Sequence, residues 1–334
     1  MRGPGLLDLQ VNGYAGVDFN STSLTPDGLD HALHSMLRSG VTYCLPTLIT
    51  AAEPELTARL HSLDHAVRTS RLGPVMVLGI HLEGPFLNPI PGYAGCHPAS
   101  AMIAPDPVLL ERMIKDIGTP VRLLTLAPEL PDAIPLINWA VRRGIVTAMG
   151  HTSADRDTVV RAAAAGVSLS THLGNALPQP QPKFLNPLMA QLAEDRLLAS
   201  FIADGIHVPP HALGVLLRAK GLERSILVTD ATSAADTAPG IYEFAGMRIE
   251  HALDGSVREP GSEVLAGSAL RLDQAVRNVV AWGFASAAQA VAMASTHPAA
   301  LLGIELTSGA VEWDEALTPR TVLVGDVSVS NPAT

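Results

Sequence analysis

The segment GLLDLQVNG, residues 5–13, is a short apolar run that breaks into polar side chains and then into a glycine turn. Read as a strand, it places Asp8, Gln10 and Asn12 on one face, because side chains alternate with period two. The same pattern recurs in GVTYCLPTLIT (40–50), VMVLGIHLEGP (75–85), VRLLTLAPE (121–129), GIVTAMGHT (144–152), VSLSTHLGNA (167–176), LLASFIADGIHV (197–208) and SILVTDATSA (225–234). Between these runs lie stretches with apolar residues spaced by three and four, such as LDHALHSMLRSG (29–40) and DTVVRAAAAG (157–166), several ending in glycine as helix C-termini do. Eight strand–helix units over about 270 residues match the size of a (β/α)8 TIM-like barrel. An open doubly wound sheet shares the alternation, but no GxGxxG follows the first strand.

Composition narrows the function classes. The chain has 334 residues, 47% of them hydrophobic, which is enough for a large core. Only 16% are charged and the net charge is −10 with no acidic run, so the clustered Lys and Arg of a nucleic-acid surface are missing. Apolar runs are short and punctuated, which excludes a bilayer-spanning helix despite the positive mean hydropathy. No signal-peptide pattern precedes the first strand, and Cys44 and Cys96 form neither a disulfide framework nor a CxxC pair. A reducing, cytoplasmic setting is the expectation.

The polar residues collect where strands end: Gln10 and Asn12, His81 and Glu83, Glu129, His151, His172, Asp204 and His207, and Asp230. In a barrel these ends converge on one face, where active sites are built. A single strand-end histidine is more often structural. Metal-capable groups on strands three, five, six and eight together point to a site, since two histidines and a carboxylate with an open position are a common catalytic zinc set. The histidines at 31, 34, 61 and 65 fall in helical patterns and read as surface or packing residues.

HLEGPF (81–86), GHT (150–152), THLGNAL (171–177), ADGIHV (203–208) and LVTDAT (227–232), in this order, resemble the amidohydrolase superfamily and, within it, the N-acetylglucosamine-6-phosphate deacetylases. The resemblance runs from the first barrel strand to about residue 303. It implies a divalent cation, Zn²⁺ or alternatively Fe²⁺, held by Glu83, His151 and His172, with Asp230 as general base and His97 of GYAGCHPAS (92–100) on the acetyl carbonyl. It further implies that Cys96, Asn175, Ala176, His207, and Ala266 and Gly267 of LAGS (265–268) meet the substrate. Superfamily members with His-x-His on strand one bind a second metal there. Gln10-x-Asn12 offers amides, which are poor ligands, so one metal is expected. His81 would support Glu83 or pack, and Asp204 would fix the turn after strand seven.

Two departures stand out. Where relatives carry a phosphate-binding arginine, this chain has PQPQPKFLNP (178–187), with Lys183 its only cation. Lys183 is the expected replacement, as a point charge without the bidentate fork. Relatives also precede strand one with further strands. Here the barrel is expected over 5–303, with a hairpin insertion over about 236–264 that turns at Asp254-Gly255. The tail, 304–334, would alone form a reduced small β-domain. SAAQAVAMASTHPAALLG (286–303) reads as one helix.

The implied reaction is deacetylation of N-acetylglucosamine 6-phosphate. Alternatives are N-acetylgalactosamine 6-phosphate, an unphosphorylated N-acetyl sugar or another small N-acyl amine, and, in a different class, a non-catalytic sugar-phosphate-binding barrel. The implied partner is a small amino sugar, with no nucleic acid and no membrane, and a homodimer is what the resemblance adds.

Overall fold

The computed structural model describes residues 1–332; the last two residues of the expected tail domain lie outside the described residues. Eight parallel strands, Leu6–Val11, Val41–Ile49, Ile80–Glu83, Val121–Leu126, Val146–Met149, Val167–Ser170, Leu198–Ile202 and Ser225–Val228, form one sheet in chain order. They are called strands one to eight. A helix follows each: Pro26–Arg38, Glu53–Thr69, Pro107–Ile114, Ala133–Arg142, Arg156–Ala165, Pro187–Leu192, Pro210–Lys220 and Leu272–Ala281. This is the (β/α)8 barrel.

Local chemistry sets the helix limits. Thr25 caps the first helix by accepting from the Gly28 amide, and Pro26 occupies a position where no amide hydrogen is needed. Asp155 caps Arg156–Ala165, which ends at Gly166 in the left-handed region that glycine adopts without penalty. The expected helix over 286–303 is instead two, Ala287–Met293 and Thr296–Leu301. Pro298 accounts for the break: its ring blocks a bond to the preceding turn, so it sits in the first turn of a new helix. The apolar run at 75–77 likewise does not extend strand three. Gly73–Met76 forms a helical turn instead.

Strands one and eight meet at a seam with a single isolated bridge, Val11 to Ala231. Asp230 N donates to Gln10 O at 2.9 Å and Asn12 N to Ala231 O at 2.7 Å. Deeper in, the buried Asp8 carboxylate accepts from Thr229 Oγ1 at 2.6 Å and Thr229 N at 3.2 Å. Burial pushes Asp8 up to about 7, opposed by these bonds. A belt of side chains crosses the barrel interior, from Thr47 through His81 to Thr125 and Thr171, at 3.2, 2.8 and 2.8 Å. His81 therefore bonds threonine hydroxyls beneath the site rather than Glu83.

A second, antiparallel sheet joins Arg2–Pro4, Gly309–Trp313, Pro319–Val324 and Val327–Ser330. The expectation that the tail alone supplies it is corrected: Gly3 pairs with Val311, and Trp313 N donates to Met1 O at 2.6 Å. Three residues ahead of strand one are too short a run to show any period. Val311, Trp313, Val322 and Val324 of this sheet share the barrel's apolar core.

The insertion is a three-stranded antiparallel sheet, Gly240–Phe244, Met247–His251 and Val257–Arg258. Its first turn is Ala245-Gly246, both with positive φ as tight hairpins require, and Asp254-Gly255 makes the second turn. Among the described residues, no helix is long and apolar enough to cross a membrane.

Candidate active site

The C-terminal ends of the barrel strands surround a cavity of about 370 Å³, within the size range of small-molecule sites. Glu83 ends strand three, and His151, His172 and Asp230 stand just beyond strands five, six and eight. These last three adopt positive φ of 50°, 32° and 50°, a conformation that costs a non-glycine residue energy and gathers at functional sites.

All the groups converge on the Glu83 carboxylate, which is buried. His172 Nε2 is 2.9 Å and His151 Nε2 3.3 Å from its Oε1, and His97 Nε2 is 3.6 Å from its Oε2. His151 Nδ1 lies 2.8 Å from the Tyr93 carbonyl, which can only accept, so the ring proton sits on Nδ1. His151 Nε2 then points a lone pair at a carboxylate oxygen. A cation between the two removes that repulsion, so the donor set fits a metal ion. Ligand atoms of Glu83, His97 and His151 all lie within 4.8 Å of one another. Burial alone would raise Glu83, but the surrounding imidazoles pull its carboxyl well below the usual range. Burial lowers His97 to about 4 and keeps it neutral near pH 7.

Gln10 and Asn12 face these carboxylates. Gln10 Nε2 donates to Glu83 Oε2 and to Asp230 Oδ1, both at 3.1 Å, and Asn12 Nδ2 donates to Asp230 Oδ1 at 2.8 Å. One oxygen of Asp230 is thus doubly held, and the other receives no bond from the described residues. Burial and then the Glu83 charge push Asp230 up to about 6. Gly267 is close packed behind it: a Cβ there would fall 2.8 Å from the Asp230 carbonyl and 2.5 Å from Thr232.

The cavity wall brings together Glu83, Cys96, His97, His151, His172, Asn175, Ala176, His207, Asp230 and Gly267. Asp204 accepts from the amides of Ile206 and His207 and, at 2.6 Å, from His207 Nδ1, which leaves His207 Nε2 for the cavity. Glu129 holds Thr152 and Ser153, directly after His151. Two expected residues are not in the wall. Ala266 is buried in the apolar cluster of the insertion, and Lys183 is exposed beside the exposed Phe184 and Leu185. The proline-rich loop keeps Gln179, not Lys183, at the cavity, and no lysine or arginine among the described residues lines it.

Sequence reasoning missed Thr50, Ile49 and Phe244. Thr50 Oγ1 is 3.0 Å from His97 Nδ1 and 3.3 Å from the Glu83 carbonyl. Ile49 and Phe244 line the cavity but look like ordinary core residues in sequence.

A parallel barrel with buried Glu, His and Asp groups gathered at the strand C-termini is the arrangement seen in the amidohydrolase superfamily. No family model matches the chain. It is 33% identical over 310 residues to an N-acetylgalactosamine-6-phosphate deacetylase of Escherichia coli O157:H7, covering 92% of this chain and 80% of that one. It is 32% identical over 310 residues to an N-acetylglucosamine-6-phosphate deacetylase of Bacillus subtilis, covering 92% and 77%. The structure superposes with a TM-score of 0.87 on the N-acetyl-D-glucosamine-6-phosphate deacetylase of Mycobacterium smegmatis, solved as a variant in complex with N-acetyl-D-glucosamine-6-phosphate, at 30% identity over 96% of this chain and 84% of that one. The chain belongs to the N-acetylglucosamine-6-phosphate deacetylase family.

Proposed function

We propose that the protein hydrolyses the N-acetyl group of N-acetylglucosamine 6-phosphate to glucosamine 6-phosphate and acetate. The observation that carries this reading is the carboxylate of Asp230, one oxygen fixed by two amides and the other free at a cavity that also holds Glu83 and three imidazoles. A sugar-phosphate binder without turnover has no use for such a base. Glu83, His151 and His172 would hold one divalent cation, zinc or alternatively ferrous iron. Such an ion supplies an acidified water and a polarised amide carbonyl. Asp230 takes the proton of the attacking water and passes it to the departing amine. The Thr50 hydroxyl holds His97 at Nδ1, and the Nε2–H form of the imidazole presents its proton to the carbonyl oxygen as charge develops there. Asn175, Ala176, His207, Cys96 and Gly267 would bind the sugar and acetyl ends. The resemblance also supports a homodimer.

Chelated protein reconstituted with zinc is expected to hold one metal per chain by elemental analysis. Two tightly held ions would show that Gln10 and Asn12 take part in a second site.

The cation-free wall favours a second reading, in which unphosphorylated N-acetyl sugars are also turned over. An exposed lysine outside the cavity gains little from the substrate, so Lys183→Ala should change KM less than about threefold for phosphorylated and unphosphorylated sugars alike. Acetate release from both substrates measures this. A selective rise of tenfold or more for the phosphorylated sugar would place the phosphate at this loop, since a charge-assisted bond contributes roughly 1.5–3 kcal/mol.

A further inference from the structure

The cavity has two unlike sides. Asn175, Gln179 and His207, on the loops after strands six and seven, give one side its hydrogen-bonding groups, with Leu177 among them. Ile49, Cys96 and Phe244 make the other apolar, and this side adjoins the reacting groups. Ile49 ends strand two in register with Glu83, and paired residues of neighbouring parallel strands project to the same face. Cys96 immediately precedes His97. Phe244 is 1% exposed and Ile49 2%, in an apolar cluster with Ala234, Ile249, Val257 and Ala266 that is distinct from the barrel core. The insertion therefore carries a small core of its own, packed onto strand two.

We infer that Ile49, Cys96 and Phe244 form the acyl pocket, which admits a methyl group and rejects longer acyl chains. The inference rests on the deacetylase reading above. When His97 engages the amide oxygen, the other substituents of the carbonyl carbon are the sugar-bearing nitrogen and the acyl carbon. The hydroxyl-rich sugar matches the polar side, where its hydrogen bonds are satisfied, and the methyl is left facing the apolar one.

The apolar side is rigid, and that makes it selective. The amide of Ile49 donates to Asn20 Oδ1 at 2.9 Å. The residue after Phe244 is clamped twice: Ala245 N donates to Asp18 Oδ2 at 2.7 Å, and Ala245 O accepts from Arg59 Nη2 at 3.0 Å. Arg59 is buried and also reaches Glu55 at 2.6 Å and Asn20 at 3.5 Å. A wall pinned in this way cannot retreat cheaply from an extra methylene, because packed interiors resist added volume.

The test compares kcat/KM for N-acetyl, N-propionyl and N-butyryl glucosamine 6-phosphate in the zinc-loaded enzyme. One surplus methylene in a closed apolar pocket is typically worth about 10–200-fold. The unaltered enzyme should therefore prefer acetyl over butyryl by about tenfold or more, and Phe244→Ala should shift that ratio toward butyryl by about tenfold or more. Phe244→Leu and Ile49→Val should shift it less in the same direction, and they carry the test should the alanine variant fail to fold. Circular dichroism and metal content establish that each variant is intact. An unchanged acyl preference in folded, metal-loaded variants overturns the inference, as does an unaltered enzyme indifferent to acyl length. Absence of acetate release by the unaltered enzyme from any N-acetyl amino sugar would instead overturn the deacetylase reading itself.

Discussion

Asp230→Asn is expected to lower kcat by about 10²–10⁴-fold, the range for loss of a positioned general base. The substitution keeps shape and one acceptor oxygen, so Gln10 and Asn12 still have a partner for their amide donors. It removes the oxygen that can take a proton. Folding should not suffer. Burial and the Glu83 charge hold the Asp230 pKa at about 6, above the ordinary 3.8, so in the metal-free protein the ionised form costs stability. That cost is absent below about pH 4, grows as pH rises toward about 6 and is then complete. A neutral asparagine avoids it, and metal-free Asp230→Asn should melt no lower than the unaltered protein at pH 7. Stopped assays, elemental analysis and thermal melts together check the prediction. Near-normal turnover in a metal-loaded variant would remove Asp230 from the chemistry.

Glu83→Gln should act at an earlier point, on metal retention. Glu83 is the anion on which His97, His151 and His172 all converge. Without its charge the site offers a cation only neutral ligands. The expected loss of affinity exceeds the 10–100-fold typical of changes in outer hydrogen-bond partners of metal ligands. Dialysed variant should carry less than about a tenth of an ion per chain, and excess zinc should restore part of the activity. A variant that keeps one ion per chain through dialysis would show that Glu83 is not a ligand. The contrast with Asp230→Asn is useful, since that variant keeps its metal and gains nothing from added zinc.

The barrel was legible because its signal repeats. Eight apolar runs ending in polar residues exclude most other arrangements, whereas a single run excludes little. Glu83, His151, His172 and Asp230 were legible for a related reason: charged and imidazole groups at strand ends are expensive unless they have partners, and the barrel supplies partners by bringing those ends together. Thr50, Ile49 and Phe244 left no such trace. An isoleucine that lines a cavity and an isoleucine that fills a core look the same in sequence, and a threonine at a strand end has many uses. Lys183 shows the opposite difficulty: a cation in the expected stretch of chain says nothing about the direction a proline-rich loop takes, and its side chain is exposed outside the cavity wall. The strand Arg2–Pro4 was too short to show a period, and the last helix broke at a proline inside an otherwise continuous apolar spacing.

The seam between the first and eighth strands ties catalysis to the history of the chain. Gln10 and Asp230 are 220 residues apart in sequence, yet the contacts that seal the cylinder at its open rim are the contacts that orient the Asp230 carboxylate. Every other strand pairing can be complete while the rim is unsealed, and such a molecule would resemble the finished protein in its secondary structure and in most of its burial. It would lack the amide contacts that hold Asp230. Placement of the Asp230 carboxylate thus depends on a pairing that only the closed cylinder supplies, between segments far apart along the chain.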